Sequence, residues 1–122
     1  MHALPVILFQ SDPGTVESLI ACLHKSFRSI RQSPSMNDLR NYLGENPEGI
    51  VILDMEIAST LDLQRLSHEF PGVWIICNHR LADEEMWTAT LSAGAADCVP
   101  SYDTRGILQA ALQHQAVARM AA

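Results

Sequence analysis

No stretch of this sequence is long and apolar enough to span a bilayer, which takes roughly 18–20 such residues. The first residues lack the basic start and long apolar core of a secretion signal, so a cytoplasmic protein with no membrane contact is expected. Lysine is nearly absent: Lys25 is the only one, and the other seven basic residues are arginines. Eight Lys and Arg stand against 14 Asp and Glu, a net charge of −6. Direct binding of nucleic acid needs clustered positive charge, so it is not expected. Cysteine is sparse too. Cys22, Cys77 and Cys98 are odd in number and contain no C-x-x-C pair, which argues against a disulfide framework and a structural zinc site. There are no internal repeats or low-complexity tracts.

What is present is enough for a core. Apolar residues make up 48% and charged residues 18% of 122 residues, which suits one packed domain over 1–122. Its core is expected to run from Met1 to about Gln115, with Gln115–Arg119 closing a last helix suited to continue into a linker.

Short apolar runs alternate with segments of helical period. Pro5-Val6-Ile7-Leu8-Phe9 reads as a strand buried on both faces. Asp12-Pro13 reads as an N-cap with proline at the first helical position, followed by an apolar stripe at Val16, Leu19, Ile20, Leu23 and Phe27. A polar edge strand is expected near Phe27–Arg31. Ser35 and Asp38 resemble a capping box for a second helix, which stops at Gly44.

Ile50-Val51-Ile52-Leu53-Asp54 is the clearest buried strand, and it ends in a carboxylate. Leu63, Leu66 and Phe70 mark a third helix, and Val73–Cys77 a fourth strand. Asp83 starts a fourth helix through Met86, Trp87 and Leu91, ending at Gly94. Cys98-Val99-Pro100 is a fifth strand, and Ile107, Leu108, Ala111 and Leu112 face inward from the last helix. Five strands alternating with five helices predict a parallel sheet covered on both faces, an α/β three-layer sandwich. Chemistry in such sheets sits beyond the carboxyl ends of the strands, where Asp12 and Asp54 fall.

Three pieces together resemble the receiver domain of two-component response regulators: Val6–Phe9 leading to Asp12-Pro13, Ile50–Asp54, and Ser92-Ala93-Gly94-Ala95-Ala96-Asp97. The resemblance implies a flavodoxin-like (βα)5 fold with strand order 2-1-3-4-5. It also implies a phosphorelay signalling role: an aspartate accepts a phosphoryl group with help from a magnesium-binding acidic pair, a Ser or Thr hydroxyl and a lysine.

Carried over position by position, Asp54 is the phosphoacceptor candidate, while Gln10 and Ser11 stand at the acidic pair and Asp12 is the pocket's third member. His79, or Cys77 of the same strand parity, falls at the hydroxyl position; Val73–Ala82 contains no Ser or Thr. Ser101 stands at the lysine position and Cys98 at the switch aromatic. The loop Glu56-Ile57-Ala58-Ser59 is about three residues shorter than the family's. No cofactor is expected, and magnesium only weakly, at Asp12 and Asp54.

These substitutions point to a pseudo-receiver, a binding module that signals mainly through protein contacts. Its partner is a histidine kinase or an output protein, with a possible homodimer through the fourth-helix, fifth-strand and fifth-helix face. The alternative is a receiver phosphorylated on Asp54, with Arg80 or His79 supplying the missing charge. A small flavin-binding or enzymatic α/β domain is a third class, though no nucleophile–base–acid set is visible. Several residues admit two readings. Asp12 is an N-cap or a metal ligand; Cys77 and Cys98 are core thiols or a redox pair; His79 with Cys77 could hold a metal; Trp87 is core or interface.

Overall fold

A computed structural model describes residues 4–121, with side chains for residues 4–114. The expected ends of the core at Met1 and Gln115, and the continuation of Gln115–Arg119 into a linker, lie outside the described side chains. The elements are β1 (Val6–Phe9), α1 (Pro13–Leu23), β2 (Ile30–Gln32), α2 (Met36–Glu45), β3 (Ile50–Asp54), α3 (Thr60–Glu69), β4 (Trp74–His79), α4 (Glu84–Ser92), β5 (Asp97–Pro100) and α5 (Thr104–Ala121). The strands are parallel and ordered β2-β1-β3-β4-β5, the flavodoxin-like arrangement. Among the described residues no helix is long and apolar enough to cross a membrane.

The unbroken apolar runs follow from burial on both sides. Ile7, Phe9, Val51, Leu53, Ile75 and Cys77 pack with Leu39, Leu43, Leu63 and Leu66 of α2 and α3. The alternate residues Val6, Leu8, Ile50, Ile52 and Ile76 pack with Leu19 and Leu23 of α1 and Ile107 of α5. A strand with both faces covered has no polar alternation to show.

Several boundaries differ from the sequence reading. The edge strand is Ile30–Gln32, because Phe27 is buried under α1 and its backbone N–H closes that helix on the Leu23 carbonyl. Helix α2 continues through Gly44 to Glu45 and is capped by Asn46, whose backbone N–H and Nδ2 both reach the Tyr42 carbonyl. Ser35 makes half a capping box: its Oγ accepts from the Asp38 N–H, but Asp38 Oδ2 takes the Ser35 hydroxyl and not its backbone N–H. The reciprocal box is at Ser59 and Asp62. Strand β4 runs two residues beyond Cys77, and this places Asn78 opposite Asp54.

At the other end of the sheet, the Trp74 indole donates to the Ala110 carbonyl at 3.0 Å and stacks on His114, ring centroids 5.0 Å apart. Among the described residues the buried His114 Nδ1 has no hydrogen-bond partner. Burial pulls the imidazole pKa down, outweighing the neighbouring Glu48. The unfolded chain therefore takes up this proton first, and stability falls as pH drops through the ordinary histidine range near ~6.5. Thermal melts between pH 8 and about 5 should show a larger fall for the native chain than for His114→Phe. Parallel profiles would assign the loss to other groups.

Candidate functional site

Asp54 ends β3 at the carboxyl edge, 3% exposed. Its Oδ2 accepts from the Ser11 backbone N–H at 3.0 Å and the Ser11 hydroxyl at 2.6 Å. Its Oδ1 accepts from the Glu56 N–H at 2.9 Å. A carboxylate so placed is held by charge-assisted bonds on both oxygens.

Beside it runs a second buried network. Gln10 Nε2 donates to the Ile52 carbonyl at 3.0 Å and to Asn78 Oδ1 at 2.8 Å, and Gln10 Oε1 accepts from Asn78 Nδ2 at 3.0 Å. Asn78 Nδ2 also donates to Ser101 Oγ at 2.8 Å. Two facing amides that exchange both bonds satisfy each other, which a neutral pair can do without a counter-charge. Gln10 follows β1, Asn78 lies on β4 and Ser101 follows β5, so the network ties three strand ends together.

The structure brings Gln10, Ser11, Asp12, Asp54 and Ser101 to one cavity of about 280 Å³, closed at its rim by Glu56 and Arg80. Arg80 Nε pairs with Glu56 Oε1. Cys77 and His79 do not line the cavity. Cys77 packs in the apolar core, and His79 Nδ1 accepts from the Leu81 backbone N–H at 2.9 Å. The β4 side chain in the network is Asn78, which the sequence reading passed over. Its one mark in the sequence is that it is the first polar residue after an apolar run; its place opposite Asp54 comes from the strand register.

Asp12 acts as the N-cap of α1, its Oδ2 accepting from the Thr15 backbone at 3.1 Å and the Thr15 hydroxyl at 2.9 Å. Magnesium, which the receiver resemblance implies, asks for several free oxygens in octahedral array. These residues fall short of it: Gln10 Oε1 is bound to Asn78 and Asp54 Oδ2 already accepts two donors, which leaves, among the described residues, Asp54 Oδ1, with one donor, and the unbonded Asp12 Oδ1 and Glu56 Oε2, divided between the carboxyl ends of β1 and β3. Among the described residues, no group of three or more His, Cys, Asp or Glu is arranged to hold a metal.

Cys77 and Cys98 are register partners on β4 and β5, and both are free and buried. Burial pushes both thiols up; at Cys98 a hydrogen bond from Thr90 opposes this, and Asp97 and Asp83 add to it. Such thiols are inert core residues, not a reactive pair. Trp87 is 49% exposed and its indole points to Asp97 Oδ1 at 3.3 Å, so it is a surface residue.

No family model matches the chain, and no curated protein does. Solved structures do. A response regulator from Thermotoga maritima is 16% identical with TM-score 0.82, over 93% of this chain and 98% of that one. A receiver-domain protein from Clostridium thermocellum is 12% identical with TM-score 0.80, over 98% and 99%. The beryllium-fluoride-activated DrrB receiver domain is 16% identical with TM-score 0.77, over 93% and 98%. At such identities the likeness is one of fold, and the fold of this chain is the receiver fold of response regulators.

Proposed function

We propose that the chain is a receiver-like signalling module that works through protein contacts, with little or no phosphorylation of Asp54. One observation carries this reading: Gln10, Ser11 and Ser101, which line the cavity with Asp54, are all neutral, and its one arginine, Arg80, is paired with Glu56. Attack on an anionic phosphodonor needs positive charge to offset the donor's, from a metal ion or a cationic side chain. Around Asp54 the Gln10–Asn78–Ser101 network is neutral. Each lost charged hydrogen bond to phosphate is worth roughly 1.5–3 kcal/mol, so losing a lysine and a metal carboxylate slows transfer by about 10²–10⁴.

The partner in this reading is a histidine kinase or an output protein, and exposed Trp87 beside Asp97 offers the face of α4, β5 and α5 for it or for a homodimer. The second reading, phosphorylation with Arg80 as neutraliser, is favoured by the place of Arg80 at the cavity rim. Incubation with acetyl phosphate and magnesium, followed by intact mass, separates the two. We expect Asp54 to stay unmodified while a conventional receiver run alongside is labelled. One phosphoryl group per chain, absent in Asp54→Asn, would overturn the proposal.

A further inference from the structure

Three consecutive β–α loops repeat one pattern. Glu56, Arg80 and Ser101 line the cavity, and each is followed at once by a large apolar residue turned to solvent. Those residues are Ile57 at 46%, Leu81 at 72% and Tyr102 at 81% exposure. Since β3, β4 and β5 are neighbours in the sheet, the three form a collar on the cavity's side of the fold. Scattered exposed apolar residues are ordinary, but a cluster around a polar cavity marks a contact surface.

Charge indicates what it contacts. Residues 10–15, 54–60, 79–85 and 100–105 carry seven of the chain's 14 carboxylates and only two of its arginines. One of those arginines, Arg80, is already paired with Glu56. Among the described residues Asp12 Oδ1 and Glu56 Oε2 take no hydrogen bond. The cavity therefore offers acceptors inside an anionic edge, which repels phosphodonors, nucleic acid and anionic lipid alike.

We propose that this edge docks a partner protein that inserts a Lys or Arg side chain into the cavity and seats apolar residues on Ile57, Leu81 and Tyr102. The proposal rests on the reading of the chain as a protein-contact module, adds a second contact surface to the Trp87 face, and names the chemistry of the partner at it. The inserted cation supplies the positive charge that Ser101, at the lysine position, does not. The collar then excludes water from the ion pair, as a rim of apolar contacts does around a hot spot.

The test is an amide-shift titration of the unphosphorylated chain with the peptide acetyl-Ala-Leu-Arg-Leu-Ala-amide and its Gln and Glu counterparts. We expect shifts centred on residues 10–15, 54–60, 79–82 and 100–103, about tenfold weaker binding of the Gln peptide and none of the Glu peptide. The double variant Leu81→Ser/Tyr102→Ser, at two exposed sites, should keep the fold and lose most of the binding. Equal binding of the Glu peptide, shifts centred on Trp87, no shifts with the Arg peptide, or capture by anionic vesicles would each overturn the docking site. The phosphorylation experiment contains no peptide, so the two failures are separable. Labelled Asp54 with peptide binding intact overturns only the proposed function, and an unlabelled chain without binding overturns only the docking site.

Discussion

Replacing Asp54 by alanine is expected to destabilise the fold by about 3–5 kcal/mol, a fall of roughly 12–20 °C in Tm for a domain of this size. The carboxylate is buried and receives the Ser11 N–H, the Ser11 hydroxyl and the Glu56 N–H. Alanine takes the acceptor away from these donors at the floor of the cavity, and each donor left unsatisfied costs about 1–3 kcal/mol. Asp54→Asn should cost less. Its remaining oxygen can still serve Glu56, and the Ser11 hydroxyl can turn to accept from the new amide, leaving only the Ser11 N–H opposed. The sign of the effect is informative. In a pocket of crowded carboxylates, removal of one relieves repulsion and raises stability. Here Asp54 holds three donors, while Asp12 caps α1 and Glu56 pairs with Arg80, so the sign reverses. Thermal and urea melts of both variants and of Ser11→Ala decide it, and an unchanged or raised Tm for Asp54→Ala would show that the three bonds contribute nothing.

The expected (βα)5 architecture matched because its carriers are local: apolar runs at Val6–Phe9 and Ile50–Leu53, and caps at Asp12 and Asp83. What escaped was set by partners far along the chain. Apolar pattern alone ends β4 at Cys77, yet Asn78 continues the strand because Gln10, 68 residues earlier, and Ser101, 23 residues later, satisfy its amide. A buried polar residue is legible only with its partners, and periodicity contains no record of them. Gly44 misled in the opposite way: with no Cβ contact to avoid and no left-handed turn, it is an ordinary helical residue, and Asn46 does the capping. The grouping of Gln10, Ser11, Asp54 and Ser101 came from positional resemblance. The bond from Ser11 to Asp54 is set by the tertiary fold, since nothing in a Gln-Ser-Asp tripeptide says which side chain turns inward. Trp87 was undecidable for a similar reason, α4 being short and apolar beyond its inward stripe.

Substituting Gly94 with alanine is expected to destabilise by about 2–5 kcal/mol, through two separable terms. Gly94 is at φ +115°, the only described residue with positive φ, and L side chains are strained there. A Cβ at this position would also lie 2.1 Å from Ser67 Oγ and 2.5 Å from Ser67 Cβ, so α3 and the turn into β5 cannot both stay in place. Ser67→Ala removes the first overlap and leaves the second, and it leaves the backbone strain untouched. The double variant Gly94→Ala/Ser67→Ala should therefore recover only a small part of the lost stability in urea melts. Full recovery would mean the hydroxyl overlap was the whole effect and the backbone tolerates alanine. This is the physical content of Ala93-Gly94-Ala95 in this chain: the glycine permits close approach of α3 to the turn that launches β5, and with it places Ser101 against Asn78. The requirement comes from packing and backbone conformation together, and it holds whether or not Asp54 ever receives a phosphoryl group.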